Sequence, residues 1–96
     1  MSASRQEAID LLNATHDFPT YLMIKVVGVN DTTFVSRVVV AVREELEHKE
    51  DPSFRTRETP GGRHVAVTVE PWIDYAEQVL SVYERLRKLE GVVFMM

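Results

Sequence analysis

Cysteine, long apolar runs and aromatic side chains are scarce in this chain of 96 residues. The absence of cysteine excludes disulfide bridges, thiol chemistry and thiolate metal sites. No apolar run approaches the roughly 18 residues that span a bilayer, and residues 1–15 lack the apolar stretch of a signal peptide. We therefore expect a cytoplasmic protein with no membrane partner.

Basic charge is also in short supply. The chain has 11 Lys and Arg against 15 Asp and Glu, a net charge of −4. Because phosphate binding needs a concentrated positive field, this balance disfavours nucleic acid as the main partner. The length and the mixture of apolar and charged residues predict one globular domain over residues 1–96.

Hydrophobic periodicity and turn residues predict the order of helices and strands. Residues 1–17 are expected to form a short helix, with the capping-box spacing of Ser4 and Glu7, and a connector. The later elements, in chain order, are a strand over Tyr21–Val27 closed by Gly28, a helix from Phe34 to Glu50, strands over Ser53–Thr59 and Arg63–Glu70 around Pro60–Gly62, a helix from a capping box at Asp74–Glu77 to Gly91, and a strand over Val92–Met96.

This order predicts an α+β fold. Right-handed crossovers and a hairpin between the second and third strands favour a ferredoxin-like βαββαβ arrangement, in which a four-stranded antiparallel sheet carries two helices on one face. Alternation along the strands places Leu22, Ile24 and Val26 beneath the helices. The opposite face, called the open face below, is expected to carry Met23, Lys25, Val27, Ala66 and Thr68, with Arg55 and Arg57 from the neighbouring strand.

Several segments together resemble the YbeD-like family of small uncharacterised bacterial proteins. The resemblance covers Phe18–Met96 and rests on residues in the same order: Phe18-Pro19-Thr20, Lys25, Gly28, Arg57, Thr59, Gly62-Arg63-His64, Ala66-Val67-Thr68, Glu77-Gln78, Tyr83, Leu86 and Val92–Met96. It implies a ferredoxin-like fold similar to the regulatory ACT domains. It implies no established activity, cofactor or catalytic residue.

The loop after the first strand is one candidate ligand site. Gly28, Asn30, Asp31 and Thr32 precede a helix, where glycine permits close approach and free N–H groups attract a carboxylate. ACT-type domains bind small amino-acid-like effectors at the corresponding loop, so the resemblance implies a small carboxylate or amino-acid effector here. The alternative is a helix cap without ligand, because Asn, Asp and Thr are ordinary capping residues and the Asp31 carboxylate competes for the same donors.

A basic cluster on the hairpin is the second candidate. Arg55, Arg57, Arg63 and His64, with Lys25 on the adjacent strand, could bind an anion, a protein partner or nucleic acid. The third strand lacks the aromatic residues with which RNA-recognition folds stack bases. The alternative is a solvated strand edge whose charges oppose aggregation.

No pattern predicts a metal site, a cofactor or catalysis. Glu44 and His48 are four residues apart but lack a second His or Cys. Neither a nucleophile with a neighbouring His nor a phosphate-binding loop is present.

We therefore expect a non-enzymatic regulatory or ligand-sensing module, with nucleic-acid binding as the alternative and an enzyme third. The apolar terminal strand Val92–Met96 would lie at a sheet edge and needs a cover. A second copy of the chain, forming a homodimer, is the expected cover, and the N-terminal helix is the alternative.

Overall fold

Three helices and two antiparallel sheets make up the computed structural model, which describes residues 4–96. The elements in chain order are α1 (Arg5–Thr15), β1 (Thr20–Tyr21), β2 (Ile24–Val29), α2 (Phe34–Glu45), β3 (Ser53–Glu58), β4 (His64–Glu70), β5 (Trp72–Ile73), α3 (Ala76–Arg87) and β6 (Val92–Met95). The sequence prediction of a mixed α+β chain is confirmed. No helix within residues 4–96 is long and apolar enough to cross a membrane.

The larger sheet has the strand order β3-β4-β2-β6, with every neighbouring pair antiparallel. Its core face carries side chains that are almost fully buried, among them Ile24, Val26, Val67 and Val69. These pack with the inward residues of α2 and α3, such as Val38 and Val82. The predicted alternation of β2 and β4 is therefore confirmed, because all four strand residues lie on the helix side of the sheet.

The N-terminal helix begins where its capping residue predicts. The Ser4 hydroxyl accepts a hydrogen bond from the Glu7 backbone N–H at 3.1 Å. The helix packs against α3, where Arg5 Nη1 and Glu84 Oε1 are 2.8 Å apart. It leaves Val93 and Phe94 of β6 about half exposed, so α1 does not cover these two side chains.

The predicted strand over Tyr21–Val27 is wrong in its extent. The chain changes sheets near Leu22: β1 pairs with β5 in the smaller sheet, and β2 then enters the larger one. The strand β5 has no counterpart in the sequence prediction. The Leu22 N–H bonds to the Pro71 carbonyl at 3.1 Å, which extends the short pairing by one bond. At the other end, β2 continues through Gly28 to Val29.

Helix α2 forms despite its many β-branched residues, as its periodicity predicts, but it stops at Glu45 rather than Glu50. Glu47 adopts a left-handed φ of 56°. The N–H of His48 then reaches the Arg43 carbonyl at 3.0 Å, and the N–H of Glu47 reaches the Glu44 carbonyl at 3.1 Å. These two bonds form a Schellman motif, which satisfies the last carbonyls and ends the helix.

Helix α3 also differs at both ends from its prediction. The Asp74 carboxylate accepts a hydrogen bond from Trp72 Nε1 at 3.1 Å instead of capping the helix. Gln78 closes the first turn, since its Oε1 accepts from the Asp74 N–H at 2.7 Å. The helix ends at Arg87, before the turn that leads to Gly91.

The left-handed Glu47 yields a stability prediction. A residue with a Cβ in this conformation costs about 1 kcal/mol relative to glycine, so Glu47→Gly should raise the free energy of unfolding by up to about 1 kcal/mol in urea titrations. Glu50→Gly is the matched control, because it removes the same charge at an exposed position without a positive φ. The control should be neutral or slightly destabilising. Equal effects of the two substitutions would contradict the assignment of strain to Glu47.

Candidate functional site: the open face of the sheet

Gly28 lies inside β2, not in a loop, and its surroundings explain the glycine. The fully buried ring of Phe34 packs directly on its backbone. A Cβ at position 28 would come closer than 3.0 Å to three atoms of that ring. The glycine thus permits a close approach, as the sequence suggested, but the approaching group is a side chain of the same protein.

Asn30 ties the loop to the hairpin. Its Nδ2 donates to the Gly62 carbonyl at 2.9 Å and to Glu58 Oε1 at 3.0 Å. Both donor hydrogens of the amide are therefore directed at groups of the β3–β4 hairpin. In this arrangement the side chain holds the turn in place.

Asp31 occupies the helix N-terminus with its own carboxylate. Oδ1 accepts from the Thr33 backbone N–H at 2.8 Å and from the Thr33 hydroxyl at 3.1 Å, and Oδ2 pairs with Arg37 at 3.2 Å. The Thr33 backbone bond is the largest influence holding the pKa of Asp31 below its ordinary value, and the Thr33 hydroxyl and Arg37 act in the same direction. Thr32 is an exposed turn residue. The Asp31 carboxylate thus already occupies the Thr33 backbone N–H at the start of α2, where a ligand carboxylate would bind.

The other candidate residues gather on the open face. The pairing of β2, β3 and β4 places Lys25 and Arg55 on either side of Thr68, and Val27 and Arg57 on either side of Ala66. Each row therefore runs across three strands with a cation on β3. His64 continues the face at the start of β4, opposite Val29.

A depression of about 410 Å³ opens on this face. Its apolar floor includes Val27, Ala66 and Phe94, and Lys25, Arg57 and His64 also line it. A second depression of about 400 Å³ adjoins it and shares Lys25, Arg57 and Ala66. The two form a continuous concave surface with cations around an apolar centre.

The cations of the open face are unequally neutralised. Arg55 pairs with Glu70 at 3.2 Å. Within residues 4–96, no carboxylate lies within salt-bridge distance of Lys25 or Arg57. Glu58, which also borders the larger depression, is held by Asn30. The open face therefore presents unneutralised positive charge on a chain whose net charge is negative.

Arg63 is separate from the other basic residues. It lies in the turn between β3 and β4, is exposed, and does not line either depression. The predicted cluster of hairpin cations therefore divides into Arg55, Arg57 and His64 on the face and Arg63 outside it.

Sequence reasoning missed Val93 and Phe94 as members of this surface. The ladder between β2 and β6 shifts register at Val27 and Gly28, which leaves Val93 as an extra residue in β6. Both Val93 and Phe94 then line the larger depression, although simple alternation would place them on opposite faces. A bulge of this kind has no signal in an apolar run such as Val92–Met96.

The possible metal pair from the sequence is used otherwise. Glu44 Oε1 accepts from Arg85 Nη2 at 2.7 Å, which joins α2 to α3. Within residues 4–96, no group of three or more His, Asp or Glu is arranged to hold a metal ion.

A family model described as "Protein of unknown function (DUF493)" matches residues 13–96. The chain belongs to this family. The DUF493 match includes both candidate sites and the whole of Phe18–Met96, on which the resemblance to uncharacterised YbeD-like proteins rests. No curated protein matches the chain. Because the function of the DUF493 family is unknown, the match assigns no activity to these residues.

The contact between Gly28 and Phe34 yields the second prediction. Gly28→Ala should lower the free energy of unfolding by about 1–3 kcal/mol, as overpacking of a core does. Phe34→Leu also destabilises, but combining it with Gly28→Ala should cost less than the sum, with a coupling of at least about 0.5 kcal/mol. Urea titration of the four proteins without any ligand measures the coupling. Additive effects would show that the ring is not what position 28 must accommodate.

Proposed function

We propose that this chain is a small non-enzymatic regulatory module that binds a carboxylate group on the open face of its sheet. The proposal includes a ferredoxin-like arrangement similar to that of the ACT domains. The carboxylate could belong to a small effector or to an acidic segment of a protein partner. The observation that carries the proposal is the pair of cations Lys25 and Arg57, unneutralised within residues 4–96, beside the apolar floor.

Three features support a carboxylate bound beside apolar groups. Guanidinium and ammonium groups form short, charge-assisted hydrogen bonds with carboxylates. The Val27, Ala66 and Phe94 floor lowers the local polarity, which strengthens such contacts. A concave surface with a few convergent polar groups is the usual form of a small-ligand site.

The loop after β2 is a weaker candidate for the same ligand. Its Thr33 N–H is bonded by Asp31, and Asn30 is bonded to the hairpin. A ligand would have to displace these contacts, and Gly28 is covered by Phe34. The balance favours the open face over the loop as the sensing surface.

Nucleic acid is the alternative occupant of the same cations. The central strands present Lys25, Val27, Ala66 and Thr68 on the open face, with Phe94 at the edge. Single-stranded nucleic acid is usually held by stacking on several aromatic rings. This scarcity of aromatic side chains, together with the net charge of −4, favours a carboxylate.

A thermal-shift screen of amino acids, small organic acids and a short polyglutamate peptide tests the proposal. At 100 times its dissociation constant, a ligand adds about 2.7 kcal/mol of stability, which raises the Tm of a domain of this size by roughly 10 °C or more. We expect at least one acid to do so. Arg57→Glu should abolish the shift, whereas Arg63→Glu, the same charge change in the turn, should leave it intact.

The small acids and the peptide distinguish the two sources of the carboxylate. No shift with either class would overturn the proposal. Single-stranded RNA binding near physiological salt that Arg57→Glu removes would establish the alternative instead.

We also propose that the chain forms a homodimer through the apolar side chains of Val92–Met96 at the β6 edge. Val93, Phe94 and Met96 are 54%, 50% and 59% exposed, and the segment Val92–Met96 carries no charged side chain. A two-fold axis through this segment therefore sets no charged side chain of the segment against its own copy. Pairing of two open faces is disfavoured, because it would set Lys25 and Arg57 of each copy against those of the other.

Light scattering coupled to size exclusion checks the dimer. We expect a mass near twice the 11.0 kDa of the chain at micromolar concentration. Phe94→Glu should give the single-chain mass, since a charge in an apolar interface is costly. Phe54→Glu, an equally exposed aromatic on the opposite edge strand, should remain dimeric. A single-chain mass for the unaltered protein would refute the dimer.

A further inference from the structure

The free edge of β3 differs from the β6 edge in both regularity and charge. β3 is the end strand of the larger sheet, and all six of its residues are exposed. Its ladder with β4 is continuous from Ser53 to Glu58, whereas that of β6 is broken by a register shift. The strand contains no proline and no bulge, two of the devices that prevent another strand from pairing, and the charges of Arg55, Arg57 and Glu58 are the one such device that it does carry.

The direction of each β3 amide follows from two hydrogen bonds at the ends of the hairpin. The Thr59 N–H donates to the His64 carbonyl at 2.9 Å, so Thr59 faces β4. On the far side of β4, the Asn30 N–H donates to the Arg63 carbonyl at 3.0 Å. Along an antiparallel strand, the N–H and C=O groups of successive residues point alternately toward and away from the partner strand. Both bonds therefore indicate that the groups of Arg55 and Arg57 face β4, whereas those of Phe54, Thr56 and Glu58 point outward.

The side chains on the two faces of this edge differ in chemistry. Arg55 and Arg57 project on the open face, beside Thr68 and Ala66. Phe54 lies on the opposite face and is 47% exposed. A strand added at the edge would place alternate side chains beside the arginines and the others beside Phe54.

We propose that the free edge of β3 accepts an extended segment of a partner protein, in which acidic residues alternate with apolar ones. The inference rests on the proposed function, since the acidic side chains would use Arg57 and Arg55 of the open face. Three outward donors and three outward acceptors supply the backbone pairing. The arginines supply the preference for an acidic strand, because opposite charges on neighbouring strands are stabilising.

Charge also argues against a second copy of this chain at the same edge. In an antiparallel pair of β3 strands related by a two-fold axis, Arg55 and Arg57 of one copy would neighbour the arginines of the other. Like charges at such positions destabilise the pairing. The arginines thus disfavour pairing of two copies at the β3 edge, whereas they attract a strand of opposite charge.

The test uses a fluorescent peptide in which glutamate and valine alternate over eight residues. Thr56→Pro removes one outward N–H without changing either arginine, and proline is tolerated at a strand edge. The peptide would lose its hydrogen bond to the Thr56 N–H, and the adjacent hydrogen bonds to β3 would be weakened. Peptide binding should therefore weaken by about tenfold or more in anisotropy titrations. Thr56→Ala, which keeps the N–H, should bind as the unaltered protein does, and thermal melting checks that both variants fold.

Hydrogen exchange on the unaltered chain supplies a readout that needs no variant. Peptide binding should slow exchange at Phe54, Thr56 and Glu58, and leave Arg55 and Arg57, whose amides already bond to β4, unchanged. Two control peptides, one with glutamates and valines in separate blocks and one alternating lysine with valine, should bind at least tenfold more weakly.

Particular outcomes separate this inference from the proposed function. Carboxylate binding that depends on Arg57 but slows no β3 amide would overturn the edge inference and leave the proposed function standing. Peptide binding unaffected by a folded Thr56→Pro variant would also overturn it. If the unaltered protein binds neither the carboxylates nor the peptide, both the proposed function and the edge inference are overturned.

Discussion

The ring of Phe34 on the backbone of Gly28 is the contact on which the rest of the structure depends. Phe34 is the first residue of α2 and Gly28 lies in the central strand, so the contact fixes where the helix leaves the sheet. Gly91, at a left-handed φ of 93°, brings the turn before β6 against the same ring. Arg37 lies over the ring and donates to the Glu90 carbonyl at 2.7 Å. One aromatic side chain thus joins the central strand, its crossover helix and the approach to the edge strand.

The contacts around Phe34 also determine which surface remains for binding. In the loop that leads to Phe34, Asp31 accepts a hydrogen bond from Thr33 and Asn30 donates one to the hairpin. The polar groups of the loop are therefore already used within the fold. The open face differs, because none of the three helices covers it and its cations exceed the carboxylates that neutralise them. Polar groups that a fold leaves unsatisfied at a concave surface are the natural contacts for a ligand. The proposed function follows from this contrast between a satisfied loop and an unsatisfied face.

Much of the fold could be predicted from local chemistry, and the exceptions have identifiable causes. Ser4 caps its helix, and α2 overcomes strand propensity, because both depend on residues close in sequence. Pairing of β1 with β5 joins residues about fifty positions apart and leaves no periodic signal. The end of α2 at Glu45 has no clear sequence signal, because the left-handed residue that follows it, Glu47, stands where glycine or asparagine is usual. For the candidate site, alternation located Lys25 and Arg57, but the bulge that adds Val93 depends on pairing geometry alone.

The central position of β2 has a consequence for how the chain reaches its native state. Its two neighbours, β4 and β6, come later in the sequence, and β6 is the last of the described elements. Both pairings close long loops before their contacts stabilise the chain, so folding should be slower than in helical proteins that are dominated by local contacts. During synthesis, β2 leaves the ribosome early and stays unpaired on one side until nearly all of the chain has followed. Until β6 joins the sheet, the unpaired edge and the apolar side chains of β2 form the kind of exposed strand surface through which partly folded chains aggregate.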